Sequence, residues 1–158
     1  MASEEASKVI DIIKDLRIAM VTTHSAGRLA SRPLTLVEAT DQGELWFFSA
    51  ADAGIVQEIR AQGLVNAAFS GSKQWVSVSG HAEVVLDVAK KKELWNAAVE
   101  TFAGEGPESA QTVLLRINAV SAEYWENPGG AASLVAGWVK QKLTGKPAEP
   151  GESNSVEL

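Results

Sequence analysis

The chain has 158 residues, 46% of them hydrophobic and 22% charged, the balance of a globular domain with enough apolar side chains for a real core. A formal charge of -6 argues against a nucleic-acid partner, whose phosphates call for a Lys/Arg surplus, and the absence of cysteine removes disulfides, thiol catalysis and Cys-held zinc or iron–sulfur centres. Residues 1–7 lack the basic start and apolar stretch of a secretory signal, and the longest nearly apolar run, residues 131–139, is too short for a bilayer, so a cytoplasmic protein with no membrane partner is expected.

Ser3 caps a first helix, with Glu4 and Glu5 at the positive end of its dipole and Ala6, Val9, Ile10, Ile13 and Leu16 on one face. The pattern turns β-type at Ile18: residues 18–24 form a strand, residues 25–28 a turn, and a second strand runs from Leu29 through Pro33 to about Ala39. Asp41, Gln42 and Gly43 turn the chain into a third strand, residues 45–49. A short helix capped by Asp52 runs to Gln62, with Ile55, Val56 and Ile59 on one face and Gly63 ending it. Residues 64–70 form the next strand, and residues 71–73 turn into residues 74–80, where apolar and small polar side chains alternate. This strand continues past Gly80 through Ala82, Val84 and Leu86, the glycine marking a bulge or a close backbone approach. Asp87 caps one helix through about Phe102 that buries Leu94, Trp95, Ala98, Val99 and Phe102, with Lys90, Lys91 and Lys92 as a solvated face. Residues 112–125 are the last long strand and residues 131–143 a final helix. The expected organisation is one domain over residues 1–145 with a flexible tail over 146–158. Hairpin-linked strands with short flanking helices make the fold mainly β, an antiparallel barrel whose closure removes sheet edges.

The chemistry is less plainly written. His24 and His81 have no second ligand at metal-binding spacing, so no metal is expected. No nucleophile elbow, P-loop or dinucleotide fingerprint occurs, and Glu38, Glu44, Glu83 and Glu123 fall on separate strands with nothing to pair them. Ser77 and Ser79 share a strand face that touches water or a ligand. Arg32 is open to two readings, a planar cation for phosphate together with the Ser49 hydroxyl, or a surface ion pair with a carboxylate such as Glu44. Among five tryptophans, Trp46, Trp95 and Trp138 suit packing, whereas Trp75 and Trp125 sit beside polar residues near strand ends, fit either to stack on a flat ring or to line a dimer interface.

Taken together, residues 20–23, Ser31, Arg32 and Pro33, residues 45–49, residues 76–80, Leu94 and Trp95, and residues 122–125 resemble, in order and spacing, the general stress protein 26-like branch of the pyridoxamine 5'-phosphate oxidase-like family. The resemblance implies an FMN-binding antiparallel split β-barrel that works as a homodimer with the flavin at the subunit boundary. It implies that Arg32 holds the FMN phosphate, that Pro33 and Leu34 lie along the flavin, and that Phe48 and Ser49 flank the ribityl-phosphate chain. Trp75 would reach the flavin across the dimer, and Trp125 is a further ring contact. Where the family carries a serine and a lysine that complete the phosphate grip, this chain has Ala53 and Ile55, a loss of charge-assisted hydrogen bonds of ~2–3 kcal/mol. The implied function is that of a flavin-dependent oxidoreductase with no protein acid or base indicated. The alternatives are a non-catalytic flavin-binding stress protein, a site that takes FAD or a deazaflavin, and a barrel that has lost its flavin.

Overall fold

A computed structural model of the chain describes residues 3–127 and 152–158. The first helix, α1 (Glu4–Leu16), is capped by the Ser3 hydroxyl, which accepts from the Ala6 amide, and it buries Ala6, Val9, Ile10, Ile12 and Ile13. Next come β1 (Ile18–Ser25), β2 (Arg28–Ala39), β3 (Glu44–Ala50), α2 (Gly54–Ala61), β4 (Leu64–Ser70) and β5 (Gln74–Val85). The order continues with α3 (Val88–Leu94), α4 (Ala97–Ala103), β6 (Thr112–Glu126) and β7 (Glu152–Glu157).

The strands run antiparallel in the order β3-β2-β1-β4-β5-β6, and β3 pairs back onto β6, closing a six-stranded barrel. The expected mainly β split barrel with flanking helices is therefore what the chain builds. Strand alternation explains the closure: Val21, Phe47, Phe69, Val76, Val78, Leu115 and Ile117 point inward into one core, against which α1 and α2 pack. A second, smaller cluster of Trp46, Phe48, Leu94, Val99 and Leu114 lies on the opposite face of β3 and β6, beneath α3 and α4.

The close approach anticipated at Gly80 is present. Ser79 pairs with Ser121 and Gly80 with Ala119, so Val120 of β6 is bulged out, and a Cβ on Gly80 would lie 2.4 Å from the Asn118 carbonyl oxygen. Other expectations are revised. The helix expected from Asp87 to Phe102 is two short ones, because Asn96 caps α4 through its side chain on the Val99 amide at 3.0 Å. Phe102 is consequently 63% exposed instead of buried, and Ala98 is exposed as well. Lys91 is 3% exposed and donates to the Ser109 carbonyl at 2.7 Å, so the triple-lysine run is not a uniformly solvated face. The N-cap of α2 is Ala53, which makes no side-chain cap bond, and not Asp52.

Residues 152–157, inside the segment whose composition suggests a flexible tail, form β7 and pair with residues 121–126 of β6. There β7 follows β3 along one edge of β6, and Val156 joins Ala122 and Tyr124 in the core. The helix expected over residues 131–143, and Trp138 within it, lie outside the described residues.

Candidate functional site

The register of the sheet sorts the candidate residues by face. On β1 and β2, Val21 is opposite Arg32 and Ala19 opposite Leu34, which puts Arg32 and Leu34 on the inner side with the core. Met20 is opposite Pro33 and Thr22 opposite Ser31, which puts these four on the outer side. Ser49, opposite Val113, is buried on the inner side, where its hydroxyl donates to the Ala50 carbonyl. Phe48 faces the other way, under α3 and α4, with its ring 5.5 Å from that of Trp95 and perpendicular to it. The residues expected around one ligand are thus distributed over three environments.

The outer side of β1, β2, β4, β5 and β6 is one continuous wall. Each strand contributes in register: Pro33 next to Met20, Met20 next to Ala68, Ala68 next to Ser77, and Ser77 next to Glu123. The residues are small and polar over much of it, with Thr22 and Ser31 hydroxyls 2.6 Å apart and the Asn66 amide donating to Ser77 at 2.9 Å. Trp75 and Trp125 are direct cross-strand partners at one border of this wall, both half-buried. Small side chains in the middle and aromatic ones at the edge leave a shallow surface on which a flat ring or a second sheet can lie. Pro33 and Trp75 sit three strand spacings apart, about 14 Å between backbones, at opposite sides of the wall.

On the inner side, Arg32 is held through both of its terminal nitrogens. Its Nη1 donates to the Thr23 hydroxyl at 2.5 Å, its Nη2 donates to Glu58 Oε2 at 2.5 Å, and Thr23 in turn donates to the same carboxylate oxygen at 2.5 Å. Thr23 is completely buried, and the Arg32 and Glu58 side chains retain 25% and 17% of their exposure. The Thr23 hydrogen bond is the largest influence on the Glu58 carboxyl and lowers its pKa. Burial pushes it up, and Ser25 and Arg32 restore the fall, so the group stays below the usual glutamate range. Glu58 reaches this place because Ile55, Val56 and Ile59 seat α2 on the barrel, leaving position 58 at the border of the apolar stripe. Neither Thr23 nor Glu58 was singled out from the sequence. The available signal was the inward alternation of Val21 and Thr23 beside an inward arginine, but the carboxylate comes from a helix whose docking direction the sequence does not encode locally.

A second polar assembly covers Trp46. Arg116 pairs with Glu83 and, at 3.4 Å, with Glu44, while Lys90 pairs with Glu38 at 2.9 Å and Glu93 at 3.0 Å. The Lys90 ammonium lies 5.0 Å from the Trp46 ring centre and the Arg116 guanidinium 5.4 Å from it. Glu44 therefore partners Arg116 and not Arg32. Among the described residues, no group of three or more His, Cys, Asp or Glu is arranged to hold a metal ion. No helix among them is long and apolar enough to cross a membrane.

A family model for pyridoxamine 5'-phosphate oxidase-like proteins matches residues 4–149. The chain belongs to the pyridoxamine 5'-phosphate oxidase-like family. Protein bli-3 of Neurospora crassa is 28% identical over 146 residues, covering 84% of this chain and 69% of that protein. Among solved structures, the general stress FMN/FAD binding protein of Xanthomonas citri is 28% identical, with a TM-score of 0.70 over 79% of this chain and 91% of that one. The general stress protein 26 of Bacillus anthracis, 19% identical, shares the fold with a TM-score of 0.69 over 77% of this chain and 94% of its own.

Proposed function

We propose that this family member is a cytoplasmic flavin-binding general stress protein that acts as a homodimer, the flavin ring lying on the outer wall of the barrel and serving an oxidoreductase reaction. The observation that carries the reading is the outer wall itself: a continuous five-strand surface of small polar residues with Trp75 and Trp125 paired at its border. Membership of the family and likeness to a general stress FMN/FAD binding protein support the choice of a flavin over other flat ligands. The half-buried Trp75–Trp125 pair at the wall's border is consistent with the homodimer, in which Trp75 covers a ring held near Pro33 of the other copy.

The ring end of a flavin fits the residues present. Thr22, Ser31, Asn66 and Ser77 form hydrogen-bonded pairs on the wall that offer donors and acceptors to the polar ring edge, and Pro33 and Met20 offer apolar contact. A bound flavin supplies the hydride and single-electron chemistry, and the protein's task is to bind, orient and shield it. These hydroxyls and amides hold a ligand's orientation on the wall.

The test is the visible spectrum of the purified protein and its titration with FMN, followed through tryptophan fluorescence. Saturable quenching that Trp75→Ala weakens at least tenfold in Kd, with flavin co-eluting at the dimer mass, supports the reading. A colourless monomer that binds no flavin overturns it. Consumption of NADH or NADPH by the loaded protein separates the oxidoreductase from a passive flavin carrier.

A further inference from the structure

A cleft of about 460 Å³ opens where β3 ends, β6 begins and α4 stops, within the size range of small-molecule sites. Ala50, Ala51 and Ala103 give it an apolar lining, with Asp52, Phe102 and Gln111 around them. The sheet fixes its floor: Ala50 pairs with Thr112 across β3 and β6, and the Ala51 amide donates to the Gln111 carbonyl at 2.8 Å. The loop over residues 104–111 beside it is pinned as well. The buried Lys91 ammonium donates to the Ser109 carbonyl at 2.7 Å, and Lys92 pairs with Glu108 at 2.6 Å. The cleft is therefore preformed, and a ligand entering it has little of the chain to order.

Two of the lining side chains are uncommitted. Phe102 is 63% exposed at the end of α4, although Val99 one turn earlier is buried. Asp52 is exposed, does not cap α2, and has no side-chain hydrogen bond or ion pair among the described residues. Among those residues it is also the only charged side chain lining the cleft. An anion there meets a carboxylate with no cation to answer it, because Lys91 and Lys92 are already engaged. An aromatic face beside an unpaired carboxylate is the chemistry that recognises an organic cation. We propose that this cleft is a binding site for a small aromatic amine, its ring packed on Phe102 and the alanine floor and its ammonium paired with Asp52. The inference does not rest on the flavin reading: Thr112 opens β6 and Trp125 lies near its other end, so the cleft and the tryptophan border of the outer wall are well separated.

The experiment titrates the full-length protein at neutral pH with phenethylamine and, in parallel, with phenylpropionate, a ring and chain of similar size carrying the opposite charge, followed by calorimetry and NMR shifts. The amine is expected to bind with a Kd of about 1 mM or tighter, and the acid at least about tenfold more weakly. Asp52→Asn is expected to weaken the amine about fivefold or more and to bring the two probes within about twofold of each other. Phe102→Ala is expected to weaken the amine by about fivefold as well. The amine's affinity is expected to be the same with and without saturating FMN. An acid that binds the wild-type protein as tightly as the amine, or an amine that does not bind up to about 10 mM, overturns the proposal without reference to any variant. An unchanged amine affinity in Asp52→Asn overturns the assignment of that carboxylate, and displacement of the amine by FMN overturns the cleft as a site of its own.

Discussion

Replacing Gly80 by alanine should loosen the barrel by an amount that can be worked out from its surroundings. A Cβ at this position would lie 2.4 Å from the Asn118 carbonyl oxygen, 3.0 Å from the Asn118 carbonyl carbon and 3.0 Å from Cγ2 of Ile117. These atoms belong to β6 where it is clamped between β5 and β3, with Ile117 opposite Leu45 and Asn118 opposite Glu44, so β6 cannot step back without opening the closing seam. Overpacking of this sort costs about 1–3 kcal/mol, and alanine's conformational advantage over glycine returns about 0.5–1 kcal/mol. Because the 2.4 Å contact is with a backbone atom, the upper half of the overpacking range applies, and the net loss is about 1–2.5 kcal/mol, or roughly 2–10 °C in Tm for a chain of this size. Gly54→Ala is the matched control: it is the first residue of α2, its nearest neighbour is Glu58 Oε1 at 3.7 Å, and the change should be neutral or stabilising by up to about 1 kcal/mol. Urea unfolding of both variants at one temperature measures the difference. A Gly80→Ala protein within about 0.5 kcal/mol of the parent would refute the argument that the seam is rigid.

Ala26 occupies a left-handed conformation, φ 47°, in the two-residue turn between β1 and β2, so Ala26→Gly or Ala26→Asn should raise stability by about 0.5–1 kcal/mol in a thermal melt. Glu58 and Glu126 titrate below the usual glutamate value of 4.5, so the stability they contribute is complete above pH 4.5 and is lost as pH falls through their lowered folded values. Glu58→Gln should therefore flatten the acid limb of a pH–stability profile measured below pH 4.5, and an unchanged slope would contradict the Thr23–Arg32–Glu58 geometry. Val156→Ala, which empties a buried position in β7, should cost about 1–2 kcal/mol, whereas the exposed Ser155 tolerates alanine; equal melting temperatures for the two variants would mean that β7 adds nothing to the core.

Much of the barrel is legible because its strands obey local grammar. Residues 64–70 and 74–85 alternate cleanly, and the turns between strands carry Gly27, Gly43 and Gly71, so their pairing order follows from hairpins. The break between α3 and α4 was hidden because Leu94, Trp95, Ala98, Val99 and Phe102 keep helical spacing straight through it; only the Asn96 cap, a single side-chain hydrogen bond, decides against continuity. β7 was hidden for a different reason. Its sequence is polar, and what makes it a strand is the unpaired stretch of β6 edge beyond β3, a property of a distant element. The candidate site is legible in the same proportion. Trp75 and Trp125 stand out singly as aromatic residues beside polar ones near strand ends, whereas their pairing depends on the β5–β6 register, and the partner of Arg32 comes from the docking of α2 and not from any neighbour in the ladder.

The closure between β3 and β6 sets a schedule for the growing chain. β3 ends at Ala50 and β6 begins only at Thr112, so on the ribosome one edge of the sheet is complete long before its mate exists. At synthesis rates of about 5–20 residues per second, that edge, rich in Leu45, Trp46, Phe47 and Phe48, stands open for several seconds. Non-local pairing of this kind is slow to nucleate and exposed to wrong partners while it waits. Yield in cells should therefore depend on translation speed through residues 51–126 and on holdase chaperones more than the stability of the finished barrel would suggest.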